Sequence, residues 1–435
     1  MSLPRSIVVP ALLAVIVTVL IGGFLFWQLD TARSLLQTTG NVTSEDGTST
    51  IRAVSPLPVP TEHGDAALSA LRRGDLLALR GEWADAEKEY RVAVDAGGGL
   101  TALRKLAQAQ LQRRNIDAAR ETLRDLRSAG ARTEDLVLLE SIIDLRSGAL
   151  DDAKRLLEEA TDTPQKHYGL GLLAIIQGQH DDAKAELSTV LAGWEPTLRG
   201  YAKALLGAYE EYELFEDSPE THRQTLLSRA LADVGECELA LPMLSDVLLK
   251  QDDYRDAWIV QGYCQLTTER VDDAKKSLER AYQIDPQKPE IQYFLARTFS
   301  KLGDHQAAIT YLQYAIENGF SPAAEARRLL AAEALATGDA ELALKQLEEL
   351  TLAEGASTEA YADFVAAALS MEKKEEAYAK AQAAVAAHPD DGSAHALLGW
   401  TAVETGRKDE AKTELMKALE LDPSLKDARA RLNSL

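Results

Sequence analysis

Two different patterns of apolar residues divide the chain. From Ile7 to Trp27 the sequence IVVPALLAVIVTVLIGGFLFW runs for 21 residues without a charge, and 14 of them are Ile, Leu, Val or Phe. At about 1.5 Å per residue such a helix is roughly 30 Å long, the thickness of a bilayer core. Its strongly apolar residues contribute about −4 to −8 kcal/mol toward insertion. Pro10 falls in the first turn, where it is tolerated, and Trp27 suits an interface. The pattern predicts one transmembrane helix over 7–28 behind a short segment 1–6. Residues 29–62, rich in Thr, Ser, Gly and Pro and without apolar period, read as a flexible linker. Beyond it, apolar residues recur at helical spacing and are interrupted by Gly and Pro.

The helical part repeats. An alanine stands five residues after a helix-ending position at Ala86, Ala119, Ala153, Ala183, Ala240, Ala274, Ala308, Ala343, Ala377 and Ala411. Successive spacings are 33, 34, 30, 57, 34, 34, 35, 34 and 34 residues. A fixed period of this length marks a stack of helix-turn-helix units, because one unit cannot bury its apolar face alone. The turn position holds Gly in seven units and Arg114, Glu269 and Glu372 in the others. Proline closes several second helices, as in Asp285-Pro286, His388-Pro389 and Asp422-Pro423.

These residues resemble the tetratricopeptide repeat (TPR). Trp258, Gly262, Ala274, Ala281 and Pro286 fit its pattern in one unit. Gly399, Gly406, Ala411, Ala418 and Pro423 fit it in the last, with His395 in the place of the large aromatic. The resemblance spans about residues 65 to 423 and implies an all-α, TPR-type helix-turn-helix solenoid (an α-α superhelix). The expected organisation is TPR-like repeats over 63–192, an extra helix and an acidic loop over 193–222, further repeats over 223–423, and a capping helix over 424–435. The loop is placed at Glu210 to Glu220.

Charge narrows the partners. The formal net charge is −22, with Asp and Glu spread along the helical part, so a phosphate backbone is repelled and nucleic-acid binding is not expected. An anionic leaflet is disfavoured too, which leaves the apolar run as the means of membrane attachment. No A-x-A cleavage site follows that run closely, so a retained anchor is expected rather than a removed signal peptide. Arg5 and the α-amino group precede the run, and Arg33 and then Arg52 follow it. This difference favours a cytoplasmic N-terminus with the repeats outside the cytoplasm. Cys237 and Cys264 are expected as two small buried side chains between helices, with a disulfide the alternative.

Catalytic and cofactor patterns are absent. There is no GxxxxGK[ST], HExxH or GxSxG, and no cofactor is expected. The cluster His388, Asp390, Asp391 and His395 suggests a metal, but carboxylates between helices cap the next N-terminus, and His395 occupies a repeat position. The TPR resemblance implies a concave surface lined by first helices, which points to Tyr263, Tyr293, Arg297, Arg328 and Trp400 as protein-binding residues. The Lys/Asn/Arg set with which some TPR domains grip C-terminal carboxylates is not reproduced. The expected function is a non-enzymatic, membrane-anchored scaffold for protein or peptide partners in assembly of an envelope complex. A non-catalytic or cryptic subunit of a membrane-associated enzyme and a cytoplasm-facing adaptor are the alternatives. Oligomeric state is not specified by these features.

Overall fold

The computed structural model describes residues 62–435 except 216 and 354. The segment 1–6, the apolar helix expected over 7–28 and all but the last residue of the linker lie outside the described residues. No described helix is long and apolar enough to cross a membrane.

The described chain contains 22 α-helices and no strand. α1 (Glu62–Leu79) pairs with α2 (Trp83–Asp95), α3 (Gly99–Gln112) with α4 (Ile116–Ser128), α5 (Val137–Arg146) with α6 (Leu150–Glu159), and α7 (Pro164–Ile176) with α8 (His180–Ala192). A solitary α9 (Pro196–Glu213) follows. Pairing resumes with α10 (Glu220–Asp233) and α11 (Cys237–Lys250), α12 (Arg255–Thr267) and α13 (Val271–Ile284), and α14 (Pro289–Lys301) and α15 (His305–Glu317). Then come α16 (Ala323–Thr337) with α17 (Ala340–Leu352), α18 (Thr358–Ser370) with α19 (Lys374–Ala387), and α20 (Gly392–Glu404) with α21 (Lys408–Leu421). The last helix, α22 (Lys426–Asn433), packs on α20 and α21.

Small residues set the packing distance. All ten alanines of the 34-residue series are 0% exposed. On the facing first helices, Gly262 and Gly399 leave no space for a side chain. A Cβ at Gly262 would stand 2.5 Å from Leu278 Cγ, and one at Gly399 would stand 2.6 Å from Leu415 Cγ. The helices of each unit therefore approach until backbone and side chain interlock.

The ten turns share one backbone conformation. The seven glycines have φ between 70° and 86°, and Arg114, Glu269 and Glu372 adopt 60°, 61° and 59°. A side chain costs about 1–2 kcal/mol in this left-handed region. Two of the three substitutes use theirs: Arg114 Nη1 donates to Glu238 Oε2 at 2.6 Å, and Glu269 Oε1 accepts from Lys301 Nζ at 2.7 Å.

The fourth position of the first helix has a chemistry that the resemblance alone does not convey. Trp258 Nε1 donates to the Asp252 carbonyl at 2.8 Å, Gln292 Nε2 to Pro286 at 2.7 Å, and Arg429 Nη2 to Pro423 at 2.7 Å. His395 Nε2 meets the Pro389 carbonyl at 2.9 Å. Each partner lies six residues back, in the turn that enters the helix, so in these four helices the position holds a side-chain N–H donor. His395 also meets Glu414 through Nδ1 at 2.6 Å. Burial opposes its charge, but the hydrogen bonds to Glu414 and Pro389 outweigh that and raise its pKa.

The irregular segment differs from expectation at its edges. Glu210 to Glu213, expected in the acidic loop, continue α9, and Glu220 begins α10. No Pro or Gly occurs between Gly207 and Pro219, and Tyr212 Oη closes the loop by donating to the Ser218 carbonyl at 2.8 Å.

First helices of successive units touch, as α5 does α7, α10 does α12 and α18 does α20, whereas second helices do not approach one another in this way. The stack therefore curves with first helices inside. Glu372, exposed and with no side-chain partner among the described residues, carries the left-handed cost without return. Glu372→Gly is expected to stabilise the protein by about 0.5–1 kcal/mol in urea denaturation; a loss of stability would contradict the turn assignment.

Candidate functional site

Two parts of the inner surface have different fates. Across the first half, α10 and α11 turn back onto the chain. Arg146, at the end of α5, donates from Nε to Glu236 Oε2 at 2.7 Å and from Nη2 to Glu236 Oε1 at 2.9 Å. Its Nη1 also reaches the Leu111 carbonyl at 2.9 Å, and Nη2 the Gly235 carbonyl at 3.3 Å. Arg114 and Glu238 form a parallel pair beside it. The side chains of Arg146 and Glu236 are only 4% and 6% exposed. Burial alone would disfavour charge on Arg146, but Glu236 and Glu238 outweigh it and hold the guanidinium charged. One hydrophobic cluster runs continuously beneath, from Leu103 to Cys264. The ends of α3 and α5 are thus covered by this chain itself.

The solitary α9 explains how this comes about. Helices joined by short loops run antiparallel. A single helix, α9, stands between the fourth pair and the fifth, so the pairing of helices shifts by one at that place. The α10–α11 turn is brought to partners 90 and 124 residues earlier in sequence.

The inner face from α10 onward carries the residues selected from sequence, and the structure separates them. Tyr263 on α12 is half-buried, its ring centroid 5.3 Å from that of Phe294 on α14. Burial pushes its phenol pKa up. Arg297 lies one turn along α14, its guanidinium 5.8 Å from the centroid of Tyr293. No carboxylate among the described residues lies within 4.0 Å of it. Arg328 on α16 is exposed but donates from Nε to Asp363 Oδ2 at 2.9 Å. Trp400 on α20 is half-buried beneath the Arg431 guanidinium of α22, 4.6 Å from its centroid.

Tyr293 is not a surface contact. It is 4% exposed, stacks on Phe320 at 4.1 Å and donates its hydroxyl to Glu325 at 2.5 Å. The ring fills the seam between α14 and α16 with Ala296, Leu312 and Leu330, so its expected role as a binding residue gives way to core packing. The structure brings Tyr263, Phe294 and Arg297 together; Arg328 pairs farther along, and Trp400 lies at the capped end.

Two inner-face residues escaped the sequence reading. Arg229, one 34-residue period before Tyr263, donates to Glu211 of α9 at 2.6 Å. Asp233 presents an open side chain, yet the surrounding protein desolvates its carboxyl and pushes its pKa up to about 6, against the opposing charge of Arg229. The same register would have found both, had the long gap not obscured the phase of α10.

The histidine–aspartate cluster does not converge. His388 Nε2 meets the Ala356 carbonyl, His395 holds Glu414 and Pro389, and Asp391 caps α20 through the Ser393 amide. No group of three or more metal-ligating side chains occurs among the described residues.

Family models described as tetratricopeptide repeat match residues 225–289, 265–332 and 392–425. The chain is a tetratricopeptide-repeat protein. Several solved structures align with about half of it. YrrB, described as a TPR protein with an unusual peptide-binding site, is 16% identical over 44% of this chain and 98% of its own, at a TM-score of 0.36. PilW, described as a widely conserved type IV pilus biogenesis factor, is 15% identical over 50% and 99%, at 0.38. A thermophilic TPR protein from Thermus thermophilus is 16% identical over 48% and 100%, at 0.32. These likenesses are of fold alone. The search of curated proteins finds no significant match.

Because Arg146 and Glu236 are buried as a pair, removing one member strands the other. Arg146→Ala is expected to cost about 3–5 kcal/mol in chemical denaturation, and the double change Arg146→Met with Glu236→Leu much less. A single-variant loss below about 1 kcal/mol would contradict the buried pairing.

Proposed function

We propose that this TPR protein is a non-catalytic scaffold whose inner face from α10 to α20 holds a polypeptide segment. Arg297 carries the reading: in a chain of net charge −22, this inner-face cation has no carboxylate partner among the described residues. It stands beside the aromatic pair Tyr263 and Phe294, and arginine with aromatics is the composition of interaction hot spots. Asp233, an exposed carboxyl on the same face whose pKa is raised, favours a partner with a positive charge at that end. The occupant we infer is a peptide with an apolar or aromatic residue flanked by one acidic and one basic side chain.

In this proposal the charge-free run from Ile7 to Trp27 tethers the scaffold to a membrane, with the repeats outside the cytoplasm and serving assembly of an envelope complex. The segment 29–62 supplies the reach.

The test is selection of peptides from a random displayed library against the detergent-solubilised full chain. Arg297→Glu and Tyr263→Ala are each expected to weaken selected peptides about tenfold or more, while Lys412→Ala on the outer helix α21 leaves binding unchanged. Equal binding to Arg297→Glu and the parent would remove the inner face as the site.

A further inference from the structure

At the fourth position of a first helix stand two residues whose charge can change near neutral pH, His167 on α7 and His395 on α20. Both rings bridge the two helices of their unit. Nδ1 of His167 meets Glu186 Oε2 on α8 at 2.5 Å, and Nδ1 of His395 meets Glu414 Oε2 on α21 at 2.6 Å, each glutamate 19 residues on. The other nitrogen faces the turn that enters the helix. Nε2 of His167 meets Asp162 Oδ1 at 2.6 Å, and Nε2 of His395 meets the Pro389 carbonyl at 2.9 Å. The two side chains are only 19% and 10% exposed.

These partners decide the protonation. A carboxylate or a carbonyl accepts and does not donate, whereas a neutral imidazole has one N–H and one lone pair. With acceptors at both nitrogens, a neutral ring would set its lone pair against an oxygen; only the imidazolium satisfies both contacts. No other carboxylate among the described residues lies within 4.0 Å of either ring. Beside His167, Lys166 turns its ammonium onto the carbonyls of Glu158 and Ala160, and on α21 Lys417 opposes charge on His395. Burial opposes both charges too, but the hydrogen bonds outweigh it and raise both pKa values. The other histidines with described side chains lack this arrangement. His180 and His222 each place Nδ1 against a tyrosine hydroxyl, which can donate, and burial and Arg223 lower the pKa of His180. His305 and His388 each have a hydrogen-bond partner at one nitrogen alone among the described residues.

We propose that His167 and His395 are proton-operated staples, which when charged hold α8 to α7 and α21 to α20 and when neutral loosen those second helices. Both stand where the regular stack stops: the unit of α7 and α8 is followed by the solitary α9, and that of α20 and α21 by α22. Elsewhere the same position carries Trp258, Gln292 or Arg429, residue types that keep their N–H donors across the neutral range. Loss of the histidine proton leaves either the glutamate or the turn oxygen without its donor, in a unit with a full neighbour on one side alone. A folded-state pKa above the unfolded value of about 6.5 gives stabilisation that is complete below that value and is lost as pH rises through the folded one. Rising pH therefore loosens the last unit of the stack and the unit at which its pairing shifts, while the other units stay closed.

Exchange of the imidazole C2 proton for deuterium, followed histidine by histidine with mass spectrometry from about pH 5 to 9, tests the staples in the detergent-solubilised full chain. The midpoints of His167 and His395 are expected above those of the same residues in the urea-unfolded chain. They should fall in Glu186→Gln and Glu414→Gln respectively, because each change removes the carboxylate that favours the charged ring. Thermal melting is the second readout. The comparison is with the double variant His167→Gln and His395→Gln, which keeps an N–H donor at each site, as Gln292 does at its own, but has no titrating ring. Between about pH 6 and 9 the parent's melting temperature is expected to fall by about 2 °C or more relative to that of the double variant. Midpoints at or below the unfolded ones, midpoints that the glutamate substitutions leave unchanged, or melting temperatures of parent and double variant that run parallel with pH would each overturn the staples.

Discussion

Everything in this fold depends on how closely two helices can approach. An alanine with no exposed surface sits at the same place in each of ten second helices, and at Gly262 and Gly399 the facing helix has no Cβ to offer. A larger residue at these places would separate the helices and open the seam, as core overpacking does. The left-handed turn is the corollary: with the helices so near, the chain reverses within a few residues, and φ near 60–86° makes that reversal possible. Units built this way are stable only beside neighbours, and contacts such as Tyr378 Oη to Glu410 and Ser300 Oγ to Glu333 join each unit to the next.

That dependence makes the solitary α9 the critical place in the chain. A nearest-neighbour stack has no long-range contacts to restore it once its phase is broken, and an odd helix breaks the phase. The buried pair Arg146–Glu236 and the partly buried pair Arg114–Glu238 answer this by tying the first unit after the break to units two and three before it. Buried ion pairs are poor sources of net stability, but they are demanding about geometry. Here they fix how the later units meet the earlier ones. The same contact covers part of the first half and leaves the later inner face as the surface available to a partner.

The sequence disclosed most of the architecture. The ten alanines locate the second helices, and their spacing alone puts Arg114, Glu269 and Glu372 at the turn, where each has a positive φ. This worked because close packing constrains residue size at fixed intervals. The clamp was illegible for the opposite reason: Arg146 and Glu236 are 90 residues apart, and no local pattern marks either as buried. Tyr293 shows a further limit. Period places it on a first helix, but whether the ring turns into the seam or out to the groove depends on Phe320 and Glu325, which belong to the next turn and helix. The fourth-position donors are half-legible: His395 reads as a replacement for an aromatic, whereas what it shares with Trp258 is a ring N–H that meets the preceding turn.

The parts of the chain on either side of α9 are expected to unfold as one body because of the Arg146–Glu236 and Arg114–Glu238 pairs. Native-state hydrogen exchange across a series of denaturant concentrations tests it most directly. Amides of α3 to α6 and of α10 to α13 should converge on one opening free energy with a common denaturant slope. Separate free energies and slopes for the two groups, with the first exchanging while the second stays protected, would show that the halves are independent and the clamp is not what joins them.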